Sequence, residues 1–177
     1  IVAPGGMGKT RLALATAETQ LTRSELFPHG VFYIHLASIQ TADQLIPAVA
    51  HALKLPPISG RQDPRANPLP GDSLPARDQL LDYLRHKQLL LILDNFEHVL
   101  ERAGLVAEIL QAAPQVQILI TSRERLQLLE EQVYPIKGLG FPDWQTLDEA
   151  LQCSAVRLFL QAAHRVRPDF ALSAEDL

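Results

Sequence analysis

One short stretch constrains this chain more than any other: Ala3-Pro-Gly-Gly-Met-Gly-Lys-Thr10, which runs directly into the alanine- and leucine-rich segment Arg11 to Leu21. Its spacing is that of Gly-x-x-x-x-Gly-Lys-Ser/Thr, a phosphate-binding loop between a strand and a helix. Only the first position departs, with Ala3 in place of glycine. A triphosphate calls for a concave ring of backbone N–H donors, and glycine admits that approach because no Cβ stands in the way. Gly5, Gly6 and Gly8 supply this freedom. The amides of Lys9, Thr10 and Arg11 open the helix, face the same point and add the positive end of its dipole. Lys9 has the reach for the β- and γ-phosphates, and the Thr10 hydroxyl is a ligand for Mg²⁺. The candidate nucleotide-binding set is therefore Pro4, Gly5, Gly6, Met7, Gly8, Lys9, Thr10 and Arg11. Alanine at the first position is acceptable if its φ is negative. The same residues also read as a glycine-rich turn before a helix with a solvated lysine, so the rest of the chain has to decide.

With 177 residues, 47% of them hydrophobic, the chain suits one globular domain of ordinary size with a sizeable core. A formal net charge of −4 argues against a general nucleic-acid-binding surface. No apolar run approaches the ~20 residues of a membrane span, and no signal peptide is evident. Cys153 is the one cysteine, which excludes a disulfide framework and a cysteine-rich zinc site and points to a reducing, cytoplasmic compartment. The histidines are scattered without metal-ligand spacing, and His35 reads as an exposed or satisfied strand residue. Ile1-Val2 reads as the end of a longer strand and Ser173 to Leu177 as the start of a helix, so the chain reads as a slice of a longer protein.

Strand and helix patterns alternate. After Ile1-Val2, a helix runs over Arg11–Leu21 with Leu12, Ala15 and Thr19 toward a sheet, and Val31–Leu36 is a strand. Ala42–Leu53 is a helix capped by Thr41 or Asp43. Pro56 to Pro75, rich in proline and glycine, is a surface insertion, either a connector or a docking segment. Ala76–His86 is a helix, and Leu89–Leu93 is the continuous apolar run of a strand covered on both faces. Phe96–Ala112 is a helix, Val116–Ile120 a strand, Glu124–Leu129 a short helix, and Val133–Ile136 a last strand that Pro135 puts at an edge or an end. Gly138–Pro142 is a linker, and Phe141 and Trp144 read as an interdomain packing pair. Thr146 or Asp148 caps a helical turn, and Ser154 caps a helix that Arg167-Pro168 ends. Such alternation predicts an α/β fold, a three-layer sandwich around a parallel sheet with right-handed crossovers and ligands at the strands' carboxyl ends. The expected domains are a nucleotide-binding domain over 1–137, with the insertion at 56–75, and a linker plus the start of a helical subdomain over 138–177.

Two further positions join the loop at that sheet edge. Asp94 directly follows Leu89–Leu93, where a carboxylate partners Mg²⁺ opposite Thr10; by itself it also reads as a helix cap. Arg123 ends Thr121-Ser-Arg123, where a cation can sense a γ-phosphate; by itself it also reads as an exposed arginine bonding a helix end.

Together, Pro4-Gly-Gly-Met-Gly-Lys-Thr-Arg-Leu12, Leu-Leu-Leu-Ile-Leu-Asp-Asn-Phe-Glu-His98 and Ile-Leu-Ile-Thr-Ser-Arg-Glu-Arg125 resemble the NB-ARC-like branch of the STAND signalling ATPases, relatives of the AAA+ proteins. Ser-Ala-Val-Arg-Leu-Phe159 and Arg-Val-Arg-Pro-Asp-Phe-Ala-Leu172 are similar to the AfsR-like and LuxR-like bacterial regulators of that group. The resemblance implies a P-loop NTPase sheet of order 5-1-4-3-2, then a small helical domain. It also implies an ATP/ADP switch with Mg²⁺, slow hydrolysis, nucleotide-dependent homo-oligomerisation, and flanking effector and helical-repeat sensor domains. Lys9 and Thr10 match its Walker A positions, Asp94 the Walker B acid and Arg123 the sensor arginine. Two departures stand out. Related ATPases place a glutamate directly after the Walker B aspartate; here it is Asn95, an amide that accepts no proton at neutral pH. Glu97 either substitutes for it or is a solvated first-turn acid favoured by the helix dipole. The Gly-Leu-Pro-Leu motif of the helical domain is also absent. The sequence leads to a nucleotide switch, with an actively hydrolysing remodelling ATPase and a degenerate interaction domain as the alternatives.

Overall fold

Leu89 to Leu93 set the layout of the sheet. In the computed structural model, which describes residues 1–23, 25–39, 41–56, 75–139 and 146–173, this run becomes the central strand β2 (Leu90–Asp94), buried at every position. Two strands flank it in parallel, β1 (Val31–His35) and β3 (Gln117–Ile120), with His35 opposite Asp94 and Leu93 opposite Ile120. Beyond β3, Val2 makes isolated parallel bridges to Ser122 and to Pro135. Its N–H donates to Tyr134 O at 3.0 Å and its carbonyl accepts from Ile136 N at 3.1 Å. The two bonds straddle Pro135, so its lack of an N–H costs this pairing nothing, and the expected last strand is reduced to a bridge.

Alternation along the strands divides the core. Leu90 and Ile92 meet Ala13, Ala17 and Phe27 under α1 (Lys9–Leu21). Leu91 and Leu93, with Ile34, point to the other face and join a larger cluster from α2 (Leu45–Ala52), α3 (Ala76–Leu84) and α4 (Ala103–Ala112). Each buried leucine or isoleucine contributes roughly 1.5–3 kcal/mol. The face of α1 differs from the expected one. Lys9, Ala13 and Ala17 are its buried residues, while Leu12 is exposed. Alanines at this four-residue spacing let the helix lie close on Leu90 and Ile92, which a leucine there would prevent.

Two expected helices are also corrected. Phe96–Ala112 is not continuous: Phe96–Arg102 winds as a 3-10 segment, broken at Val99 (φ −134°), before α4 begins. Three residues per turn bring Phe96 and Val99, both fully buried, to the same side. Glu124–Leu129 forms no helix. Gln127 has φ 60°, and the Glu131 carboxylate accepts from the amides of Leu126 and Gln127 at 3.1 and 2.9 Å, so these donors are used outside a helical ladder. Smaller shifts are Leu36, which opens a 3-10 turn instead of ending β1, and a 3-10 turn over Ala42–Gln44 before α2. Residues 57–74 of the proline-rich insertion, the Phe141/Trp144 pair and the segment after Ser173 lie outside the described residues.

The chain divides into two compact units, Ile1–Ile136 and Lys137–Leu177. In the second, Thr146 caps α5 (Leu147–Gln152), accepting from Glu149 N at 3.4 Å while its own amide donates to Glu149 Oε2 at 3.3 Å. Cys153, not Ser154, takes the N-cap position of α6 (Ser154–Val166). Phe159 on α6 meets Phe170 edge to face at 5.8 Å. Among the described residues no helix is long and apolar enough to cross a membrane.

The two-sided burial of β2 sets a stability prediction. Leu91→Ala should lower the unfolding free energy by about 2–5 kcal/mol, whereas Leu129→Ala, at a fully exposed site, should change it by less than about 0.5 kcal/mol. Urea unfolding of both variants checks the contrast, and equal losses would contradict the core assignment.

Candidate functional site

The loop before α1 is shaped by glycine conformation. Gly6 and Gly8 have φ of 77° and 84°, in the left-handed region that other residues avoid. A Cβ at either would meet nothing within 4 Å, so backbone geometry and not crowding requires glycine there. Ala3 is buried and is not among the residues of positive φ, which meets the condition for alanine at the first position. Lys9 is buried, and its Nζ donates to the loop's own carbonyls, Ala3 O at 2.7 Å and Pro4 O at 2.9 Å. Pro4, Gly5 and Arg11 are exposed and Met7 is half-buried.

Thr10 opens the helix with its hydroxyl on Asp94, 2.9 Å from Oδ1 and 3.1 Å from Oδ2, although 84 residues separate them in sequence. Asp94 has no exposed surface. Its other partners are all side-chain donors, so it caps no helix. Thr121, just past β3, donates to Oδ1. The Tyr33 hydroxyl donates to Oδ2 at 2.8 Å, and His35 Nδ1 lies 3.1 Å from the same oxygen. Burial alone pushes the carboxyl pKa up, but the bonds from Thr121, Tyr33, Thr10 and His35 outweigh it and hold Asp94 below its ordinary value. Partial burial, then the bond to Asp94 and its negative charge, push the Tyr33 phenol up to about 12.

Sequence reasoning did not include Tyr33 and passed over His35. Their signal is the two-residue spacing in Val31-Phe-Tyr-Ile-His35, which puts both side chains on one face of a strand. It becomes informative only once that strand is known to lie beside Asp94.

Arg123 and Glu97 form a second group. Arg123 Nε is 3.0 Å from Glu97 Oε1, with the arginine largely exposed and the glutamate largely buried. The guanidinium reaches the loop: a Cβ on Gly5 would lie 3.8 Å from Arg123 Cζ. Glu97 Oε2 is buried with no hydrogen-bond partner among the described residues. Asn95 has φ 63° and ψ 46°, a left-handed conformation that asparagine tolerates better than most residues, and its amide donates to Thr121 Oγ1 at 3.1 Å.

This donor set fits a magnesium nucleotide. A glycine-shaped loop with an ammonium group and a helix start suits phosphate oxygens. The Thr10 hydroxyl and Asp94 carboxylate offer hard oxygen ligands to a divalent cation that keeps several waters. Among the described residues no cluster of three or more His, Cys, Asp or Glu side chains forms a protein-only metal cage.

Comparison with known proteins agrees with that chemistry. Residues 1–129 match the AAA domain family. The chain is 32% identical over 170 residues to proteins of Mycobacterium bovis and Mycobacterium tuberculosis named as candidate HTH-type transcriptional regulators, covering 96% of this chain and 16% of each of those proteins. An uncharacterised protein of Mycobacterium tuberculosis is 31% identical over 176 residues, 99% of this chain and 38% of that protein. The chain thus spans about one sixth of the length of the regulators it matches.

The depressed pKa of Asp94 has a definite sign. Its contribution to stability is fully present above the ordinary carboxyl value of 3.8 and is lost as pH falls from there through the lower folded value. Denaturant unfolding across the acid range should show wild type losing stability in that window and Asp94→Asn showing a flatter profile. An equally steep profile in the variant would contradict the assignment.

Proposed function

The chain belongs to the AAA domain family, and from that premise we propose that it is the ATP/ADP-binding switch module of a larger regulator, with slow Mg²⁺-dependent hydrolysis. The observation that carries this reading is the direct bond between the Thr10 hydroxyl and the Asp94 carboxylate, 2.9 Å across the two motifs. In this reading the loop from Pro4 to Gly8, with Lys9 and the amides of Thr10 and Arg11, holds the phosphates. Thr10 and Asp94 hold Mg²⁺, which offsets phosphate charge when bound. Arg123, already beside Gly5, senses the terminal phosphate.

Slow hydrolysis follows from the acids present. Asn95 is an amide, and Asp94 is taken up by hydroxyl and imidazole donors. Glu97 remains as the base, and its carboxylate is tied to Arg123. One oxygen of that base is occupied by an arginine and the other is buried away from solvent, an arrangement that suits a switch better than a motor.

The NB-ARC-like STAND assignment is the finer form of the same proposal. Counting the extended segments Ile1–Val2, 31–35, 90–94, 117–120 and 133–136 as strands one to five, the bridges from Val2 to Ser122 and Pro135 support the order 5-1-4-3-2. The chain's division after Ile136 supports a nucleotide-binding domain over 1–137 and the start of a helical subdomain over 138–177. The regulators' names support a cytoplasmic role in transcriptional signalling. Flanking domains then sense the signal and contact DNA, and nucleotide exchange controls self-assembly.

Isothermal titration with MgATP and MgADP tests the proposal. Both should bind. Lys9→Ala should weaken binding about tenfold or more, and most for the triphosphate, since a charge-assisted contact is lost. Asp94→Ala should reduce the Mg²⁺ dependence. Undetectable binding of both nucleotides would overturn the reading. Separately, steady-state turnover should stay below about one per second, under the usual enzyme range. Turnover of many per second that Glu97→Gln abolishes would favour the remodelling ATPase instead.

A further inference from the structure

Asp94 has no acceptor to spare. An ionised carboxylate offers about four lone-pair directions. Oδ1 receives Thr121, Oδ2 receives Tyr33 and His35, and the Thr10 hydroxyl is shared between them, nearer Oδ1. A water bound to Mg²⁺ is itself a donor and needs one of these directions. The four donors are not equally replaceable. Thr121 is fully buried and its oxygen also accepts from Asn95 N–H, so its departure would strand buried polar groups. Thr10 can keep its proton on Asp94 while turning a lone pair to the metal. Tyr33 and His35 are different. Tyr33 is 36% exposed and the His35 side chain 53% exposed, so each can exchange the carboxylate for water. Their rings lie nearly parallel, 15° apart, along one face of β1, which has no second neighbouring strand among the described residues.

We propose that Tyr33 and His35 form a clamp on Asp94 Oδ2 that competes with the hydration shell of Mg²⁺, so that metal binding requires one of them to let go. The inference rests on the reading of the loop and Asp94 as a magnesium nucleotide site and adds a regulator to it: the clamp sets the Mg²⁺ concentration at which the nucleotide is held. Both are positioning residues, acting only through Asp94. Without them, water takes their place on Oδ2, and a mobile water is displaced more easily than a tethered phenol or imidazole.

Titration calorimetry of MgADP and MgATP across a Mg²⁺ series, and with EDTA, tests this on wild type, Tyr33→Phe, His35→Ala and the double variant. The Mg²⁺ concentration for half-maximal binding should fall about threefold in each single variant and further in the double. Affinity in EDTA should stay within about twofold, since the polar contacts of both residues run to Asp94 and not to the loop's phosphate-binding groups. His35→Gln, whose amide can donate to the same oxygen, should move the midpoint back toward wild type. A midpoint that is unchanged or raised in the variants, with wild type binding normally, overturns the clamp alone. Absence of nucleotide binding by wild type at every Mg²⁺ concentration overturns the nucleotide reading and the clamp with it. Should loss of the imidazole unfold the chain, Tyr33→Phe, which deletes a single hydroxyl, decides the question.

Discussion

A carboxylate without exposed surface at the end of the central strand is the constraint on which the rest of this structure depends. Burying an ionised group is strongly unfavourable unless donors surround it. The donors to Asp94 come from the start of α1, from β1 and from the turn after β3. Each of those elements therefore has to end at the same level of the sheet. The pairing of β1 with β2, which sets His35 opposite Asp94, meets that demand. A one-residue slip would carry Tyr33 and His35 to the other face, among the leucines of the larger cluster. Sheet register and site geometry are thus a single requirement.

The same interaction explains what could be read from the sequence and what could not. Leu89–Leu93 announces a strand covered on both sides because its composition answers to burial alone, and the loop from Ala3 to Thr10 announces itself because its backbone demands glycine at fixed positions. Thr121, Tyr33 and His35 carry no such local mark. Their role is decided by which strands are neighbours, a property of the whole chain. The buried face of α1 differs from the periodic pattern for a related reason. Leucine scores as the buried residue in a periodic pattern, but close packing on the sheet selected alanine at 13 and 17. Phe96–Ala112 has helical spacing throughout, and the break at Val99 follows from where Phe96 must start: its amide bonds to Thr121 O at 2.9 Å.

That start also bears on the choice between switch and engine. The amides of Asn95 and Phe96 are both held by Thr121, one by its hydroxyl and one by its carbonyl. Together they hold the turn with Asn95 left-handed. A glutamate there would meet a backbone strain of roughly 1–2 kcal/mol that asparagine largely escapes. Asn95 is therefore part of the turn's geometry and more than a missing catalytic group. Thr121 serves Asp94 and the turn at once, so a glutamate at 95 would place that strain in the same turn that supplies a donor to Asp94. The acid that remains, Glu97, has one oxygen on Arg123 and the other buried without a hydrogen-bond partner among the described residues. An unpaired buried carboxylate oxygen is unfavourable, and it makes the Glu97–Arg123 contact a poised arrangement: a ligand that draws Arg123 away also leaves Glu97 in need of a new donor. In such a site, a ligand that drew Arg123 to the loop would change the pairing of charges before any of its own bonds broke, which supports the proposed nucleotide-dependent switch over rapid turnover.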